Sequence, residues 1–228
     1  MISNKTNLDI LFEDNHFIVV NKRSGDIVQG DKTGDKPLSD IVKEYIKEKY
    51  DKPGNVFLGV AHRLDRPTTG IVVFAKTSKG LERFNKLLRD KNVHKTYWAV
   101  VKNRPEDETG TISGYLKKNP KNNKSTSYKS EIEGSKKAVL HYKVLTSLTN
   151  YYLLEVDLET GRHHQIRCQL SSIGSPIKGD LKYGFNRSNK NAGIHLHARK
   201  IAFIHPVTKE QILIVAPTPD EVIWNACL

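Results

Sequence analysis

His62-Arg63-Leu64-Asp65-Arg66-Pro67-Thr68-Thr69-Gly70 runs directly into Ile71-Val72-Val73-Phe74-Ala75. The second stretch is a short, uninterrupted apolar run, the pattern of a buried strand. Upstream, Phe57-Leu58-Gly59-Val60-Ala61 reads as another buried strand, so the Asp65 loop bridges two strands. In that loop a carboxylate stands between two guanidinium groups, Arg63 and Arg66. Pro67 fixes one backbone dihedral, and Gly70 permits tight re-entry into the next strand. Loops held by flanking strands are where positioned chemical groups concentrate. Neighbouring arginines keep a carboxylate ionised, as a nucleophile must be. A second reading fits the same residues: an aspartate that caps a turn and pairs with arginine. The segment by itself leaves both open.

Working outward, Ile10-Leu11-Phe12 and Phe17-Ile18-Val19-Val20 form an opening hairpin around Asp14-Asn15. A Gly/Asp/Lys-rich loop covers Ser24 to Lys36. Pro37 then opens a helix whose apolar residues Leu38, Ile41, Val42, Tyr45 and Ile46 follow the i, i+3, i+4, i+7, i+8 stripe. A second helix, from about Ser78 to Asp90, carries Leu81, Phe84, Leu87 and Leu88. Strand-like runs recur at Lys95–Val101, Ala138–Leu145, Tyr151–Leu158, Ile194–Ile204 and Gln211–Ala216. A helix of about His164 to Ser172 lies between two of them and ends at Gly174, a C-cap residue. Strands in runs, interspersed helices and short links predict an α+β fold. We expect a mixed, mostly antiparallel central sheet with flanking helices, in a single domain over residues 1–228. Residues 117–137, rich in Lys, Asn and Ser, are expected to be a mobile basic loop or hairpin tip. A solvated loop and an RNA contact both fit it.

Charge narrows the choice of partner. The 37 Lys and Arg against 25 Asp and Glu give a formal net charge of +12, which concentrates polyanions at the surface. Nucleic acid and a merely basic surface both satisfy it. No apolar stretch approaches the roughly 20 residues that cross a bilayer, so no membrane partner is expected. The N-terminal residues show no apolar core of a secretory signal. Cys168 and Cys227 sit in no metal-ligand spacing, which points to a reducing, cytoplasmic setting. The histidines allow one rival: His62, His163-His164 and His195-x-His197, with Asp65 or Asp180, are candidate ligands of a metal-dependent nuclease. Neither a Cys-rich nor an HExxH spacing accompanies them.

In order along the chain, several motifs resemble those of the RluA family of pseudouridine synthases. They are ILFEDNHFIVVNK (Ile10 to Lys22), the His62–Gly70 segment followed by Ala75-Lys76, and Lys95-Thr96-Tyr97-Trp98-Ala99-Val100. Thr160-Gly161-Arg162-His163-His164-Gln165-Ile166-Arg167 follows, then Gly179-Asp180, Tyr183-Gly184, Leu196-His197-Ala198 and His205-Pro206. The resemblance implies isomerisation of a uridine in structured ribosomal or transfer RNA, an internal rearrangement that needs no cofactor and no metal. It implies that Asp65 is the nucleophile, that Arg167 pairs with it, and that Tyr97 stacks on the extruded base. Arg63 would occupy the vacated space or hold the backbone, with Arg66, Arg162, His164 and Leu196 as further RNA contacts, and residues 1–228 would form one catalytic domain with an active-site cleft. Arg23 stands where the family commonly has Pro, Thr69 where it has Ser, and Ser175-Pro176 where it has His-Pro. A separate N-terminal RNA-binding domain, present in part of the family, is not expected, because the first motif begins at about Ile10. We expect a monomer without an obligatory protein partner. A third class, an RNA-binding protein that keeps the fold without catalysis, is opposed by the intact set of Asp65, Tyr97 and Arg167.

Overall fold

A computed structural model of the chain describes residues 2–31 and 33–228. Lys32, inside the expected Ser24–Lys36 loop, lies outside the described residues. In chain order the elements are β1 (Ile10–Glu13), β2 (Phe17–Lys22), α1 (Leu38–Lys49), β3 (Gly59–Val60), β4 (Thr69–Ala75) and α2 (Ser78–Arg89). Then come β5 (Val93–Val101), β6 (Thr109–Asn119), β7 (Lys124–Tyr128), β8 (Lys136–Ser147), β9 (Tyr152–Leu158) and α3 (Gln165–Ser172). A 3₁₀ turn (Leu181–Tyr183), β10 (Leu196–Ile204), β11 (Gln211–Val215) and α4 (Val222–Asn225) complete the chain. Contacts divide the expected single domain into two compact units, Met1–His94 with Ala198–Pro219 and Lys95–His197 with Asp220–Leu228. Each unit takes chain from both halves of the sequence. No linker composition marks such a division.

In the first unit β1 and β2 form the predicted antiparallel hairpin, and β2 pairs antiparallel with β4 from Phe17↔Ala75 to Lys22↔Gly70. Asp14 fixes the hairpin turn by accepting from the backbone N–H of His16 and Phe17 at 2.7 and 2.6 Å. β4 is buried at every position, which accounts for its unbroken apolar run. α1 starts after Pro37 and lays Leu38, Val42 and Ile46 on Ile18, Val20, Val72 and Phe74. α2 begins at Thr77, whose side chain accepts from Gly80 N at 3.0 Å. Its buried Phe84 packs edge-on against Phe203 of β10, and β10 pairs antiparallel with β11. One expectation changes. The run Phe57–Ala61 is not a strand buried on both faces, for its ladder is confined to Gly59–Val60 and Phe57 is 48% exposed. Val56, Leu58 and Val60 alternate into the core while Phe57 points outward, a period of two that a continuous apolar run conceals.

In the second unit the strand order is β5-β9-β8-β6-β7, with antiparallel pairing throughout. β6 and β7 did not stand out in the sequence, because their residues are mostly polar. They exist because the ladder on β8 and the hairpin register Tyr115↔Tyr128 to Asn119↔Lys124 satisfy their backbone. The 117–137 segment thus spans the end of β6, all of β7 and the start of β8. α3 follows the predicted bounds, with Gly174 just beyond it at φ +82°. Trp224 of α4 is buried against Val100 and Leu153.

Candidate active site

Asp65 lies half-buried between β3 and β4, with Arg63 and Arg66 exposed on either side of it. Thr68 N donates to Asp65 O at 3.0 Å and closes a turn, and Gly25 N donates to Arg66 O at 3.0 Å. Two carbonyls of this stretch, those of Arg66 and Thr68, also meet one ammonium. Lys22, the last residue of β2 and 1% exposed, donates Nζ to the backbone oxygens of Arg23, Arg66 and Thr68 at 2.9, 3.0 and 2.7 Å. An ammonium has three donors, and all three are used, two of them on the Asp65 loop. Burial lowers the Lys22 pKa from 10.5 to about 7, while the charges of Asp26 and Asp65 pull it upward. Asp26 is itself buried and accepts from Ser3 N, Ser3 Oγ and Arg23 N.

Arg66 pairs with Asp35 at 2.7 Å, both side chains about half exposed, so this pair contributes little to stability. At the end of the loop Gly70 has φ +106°, and a Cβ there would stand 2.4 Å from Ala198 O and 2.6 Å from Ala198 N. Only a residue without Cβ fits. The tight re-entry read from the sequence has this steric cause.

Tyr97, Arg162, His164, Arg167 and Leu196 belong to the second unit. Tyr97 is buried on β5 opposite Val156, and Leu196 is buried at the start of β10. Arg162 is exposed and donates Nε to Lys137 O at 2.9 Å. Arg167, on α3, is buried and forms a bidentate pair with Asp180, Nε to Oδ2 at 2.6 Å and Nη2 to Oδ1 at 2.8 Å. Its guanidinium lies 5.1 Å from the centre of the Tyr183 ring. His164, at φ +54° before α3, brings Nδ1 to 2.9 Å from the Tyr183 hydroxyl. Tyr183 therefore gathers two of the expected site residues, Arg167 and His164. The sequence reading singled out Lys22 and Tyr183 as motif members without giving them a site role, and Asp180 only as a motif member and candidate metal ligand. A lysine closing an apolar strand reads as solvent-facing, and nothing local ties Asp180 to an arginine thirteen residues earlier.

The histidines have other occupations than metal binding. His163 Nδ1 lies 2.9 Å from Ser125 Oγ, and His195 Nδ1 lies 3.0 Å from Asn189 Nδ2. His195 stacks on Trp224, and burial lowers its pKa to about 3. Among the described residues no group of three or more His, Cys, Asp or Glu side chains is arranged to hold a metal ion, so the ligand set of a nuclease does not form among them. Also among the described residues, no helix is long and apolar enough to cross a membrane.

The family model for RNA pseudouridylate synthase matches residues 16–172, a span that includes the Asp65 loop, Tyr97 and Arg167. The chain belongs to this family. Its pseudouridine synthase relatives include the ribosomal large subunit pseudouridine synthase D of Zymomonas mobilis, 33% identical across 94% of this chain and 70% of that protein. The tRNA pseudouridine synthase C of Vibrio parahaemolyticus is 29% identical across 93% of this chain and 91% of its own. Other bacterial RNA pseudouridine synthases, 33 to 34% identical, are spanned over 66 to 72% of their length. The structure of human RNA pseudouridylate synthase domain containing 4 matches with a TM-score of 0.79 and 26% identity, over 95% of this chain and 90% of that one. The α+β fold is that of a pseudouridine synthase, and membership places the chain among enzymes that isomerise uridine in RNA.

Proposed function

We propose that the chain converts a uridine of ribosomal or transfer RNA to pseudouridine with Asp65 as nucleophile. The observation that supports this reading best is the clamped loop, in which a buried ammonium ties the backbone around a half-buried carboxylate. In the reaction the N1–C1′ bond breaks, the uracil turns, and C5 bonds to C1′. C5 gives up its proton and N1 gains one, so the atoms balance without a co-reactant. Asp65 acts as the carboxylate of this exchange and Arg167 as its ion-pair partner, oriented by Asp180. Tyr97 stacks on the extruded uracil and assists removal of the C5 proton. Extrusion costs a few kcal/mol of unstacking, offset by phosphate contacts of a chain with net charge +12. Arg63 fills the vacated stack, and Arg66, Arg162, His164 and Leu196 contact the RNA. The named relatives support ribosomal or transfer RNA as the substrate class. In this reading the chain works as a monomer in the cytoplasm.

Asp65→Asn tests the assignment. The variant is expected to bind RNA within about threefold of wild type, because the exchange removes one negative charge from a polyanion site. It should release no tritium from RNA carrying C5-tritiated uridine. Release at the wild-type rate would end the proposal.

A further inference from the structure

Ser125 is a polar residue on β7 that is 2% exposed, and every hydrogen-bonding group it has is engaged. Its backbone N donates to the Tyr183 hydroxyl at 2.8 Å, and its carbonyl accepts from Cys168 Sγ at 3.3 Å. Its Oγ donates to His163 O at 2.8 Å and lies 2.9 Å from His163 Nδ1. These partners sit on α3, on the residues before it, or on the following 3₁₀ turn. The β6–β7 hairpin carries Lys117, Lys118, Lys121 and Lys124, and Ser125 fastens it to the helix that bears Arg167. From outside, Lys182 Nζ donates to the carbonyls of Asn122 and Asn123 in the hairpin turn at 3.4 and 3.1 Å.

Tyr183 stands where these connections meet. Its hydroxyl accepts from Ser125 N, so its own proton is free to go to His164 Nδ1, 2.9 Å away. Burial pushes the Tyr183 pKa up to about 12, which keeps that proton in place. One side chain thus supplies a hydroxyl to the hairpin and a ring to two cations, the Arg167 guanidinium at 5.1 Å and the Lys124 ammonium at 5.3 Å. Leu116, Ala138 and Cys168 pack around the ring.

We propose that Tyr183 is a positioning residue, its hydroxyl registering the basic β6–β7 hairpin on α3 for RNA and its ring steadying Arg167. The inference rests on the reading in which Arg167 serves the reaction. Its two halves separate by substitution. Tyr183→Phe deletes both hydroxyl bonds and keeps the ring under Arg167. KM for RNA should rise about tenfold, the equivalent of one or two hydrogen bonds, with kcat unchanged. Binding should also depend less steeply on salt, as hairpin phosphate contacts drop out. Tyr183→Leu removes the ring as well and should lower kcat about tenfold further. Should Tyr183→Phe fold poorly, the exposed Lys182→Gln loosens the same hairpin and should raise KM alone. A wild-type KM and salt slope in Tyr183→Phe and Lys182→Gln would overturn the proposal. So would a parallel loss of kcat and melting temperature without a change in KM. Arg167→Ala separates the underlying reading: an active variant removes that reading, whereas an inactive one beside an unaltered Tyr183→Phe removes this inference alone.

Discussion

Replacing Lys22 by Met tests how the Asp65 loop is held. The ammonium is 1% exposed, so solvent screening does not reduce its energetics. A fall in pKa from 10.5 to about 7 means that its charged form costs about 5 kcal/mol more in the folded than in the unfolded chain. The variant sheds that cost but loses three hydrogen bonds from a charged donor, each worth about 1.5–3 kcal/mol. The opposing contributions are similar in size, so a stability change at one pH decides nothing. The pH dependence decides it. Between the folded value of about 7 and the unfolded value of 10.5, the unfolded chain holds the proton and the folded chain does not. Wild-type stability therefore gains about 1.4 kcal/mol per pH unit from Lys22 above neutrality and nothing below it. Urea unfolding of wild type and Lys22→Met should show a difference that is flat from about pH 6 to 7. By about pH 9 it should have shifted by about 2–3 kcal/mol in favour of the wild type. Turnover should move the other way. A neutral amine has two N–H groups for three carbonyls, so wild-type kcat should decline as the pH passes 7, while Lys22→Met should be about tenfold slow at any pH. A stability difference that stays flat to pH 9 would refute the burial argument.

Glu13 accepts from Lys49, Lys76 and Tyr50; burial raises its pKa, but these bonds outweigh it and hold the group at about 2 instead of 4.5. Its contribution is present above the ordinary carboxylate value and is lost as the pH falls towards 2. Glu13→Gln should therefore cost about 1–3 kcal/mol in urea unfolding at neutral pH, with the gap closing in acid; a constant gap would contradict this. Gly70→Ala places a Cβ against the backbone of Ala198 at a left-handed φ, so a loss of at least about 3 kcal/mol or insoluble protein is expected. Calorimetry showing an unchanged melting temperature would sink that account.

What was legible follows from what makes a local pattern. α1 and α2 could be read because an apolar stripe of helical period must face one core, and β2 and β4 because strands buried on their faces carry unbroken apolar runs. β6 and β7 could not, since Thr109 to Asn119 and Lys124 to Tyr128 owe their extended form to ladders with residues well separated in sequence. The same holds at the site. Asp65 announces itself through Arg63, Arg66, Pro67 and Gly70, all within five residues. Lys22 reaches its acceptors 44 and 46 residues away, and Ser125 meets Tyr183 across 58. A polar side chain whose partner lies that far off looks like any surface residue until the fold closes.

Arg23, where the family commonly carries Pro, shows how such a departure can be absorbed. Proline would lock φ and remove the backbone donor. Here Arg23 N donates to Asp26 Oδ2 at 3.3 Å, and its Nη2 donates to Asn7 O at 2.9 Å. Asp26, held also by Ser3, lies near enough to Lys22 to raise its pKa. The rigidity that a ring would impose on the backbone after Lys22 is supplied instead by hydrogen bonds to the segment before β1. Lys22 keeps its place, and with it the two carbonyls that tie down the Asp65 loop. A substitution that looks disruptive in one motif is compatible with an intact site because the constraint, rather than the residue that usually imposes it, is what the loop requires.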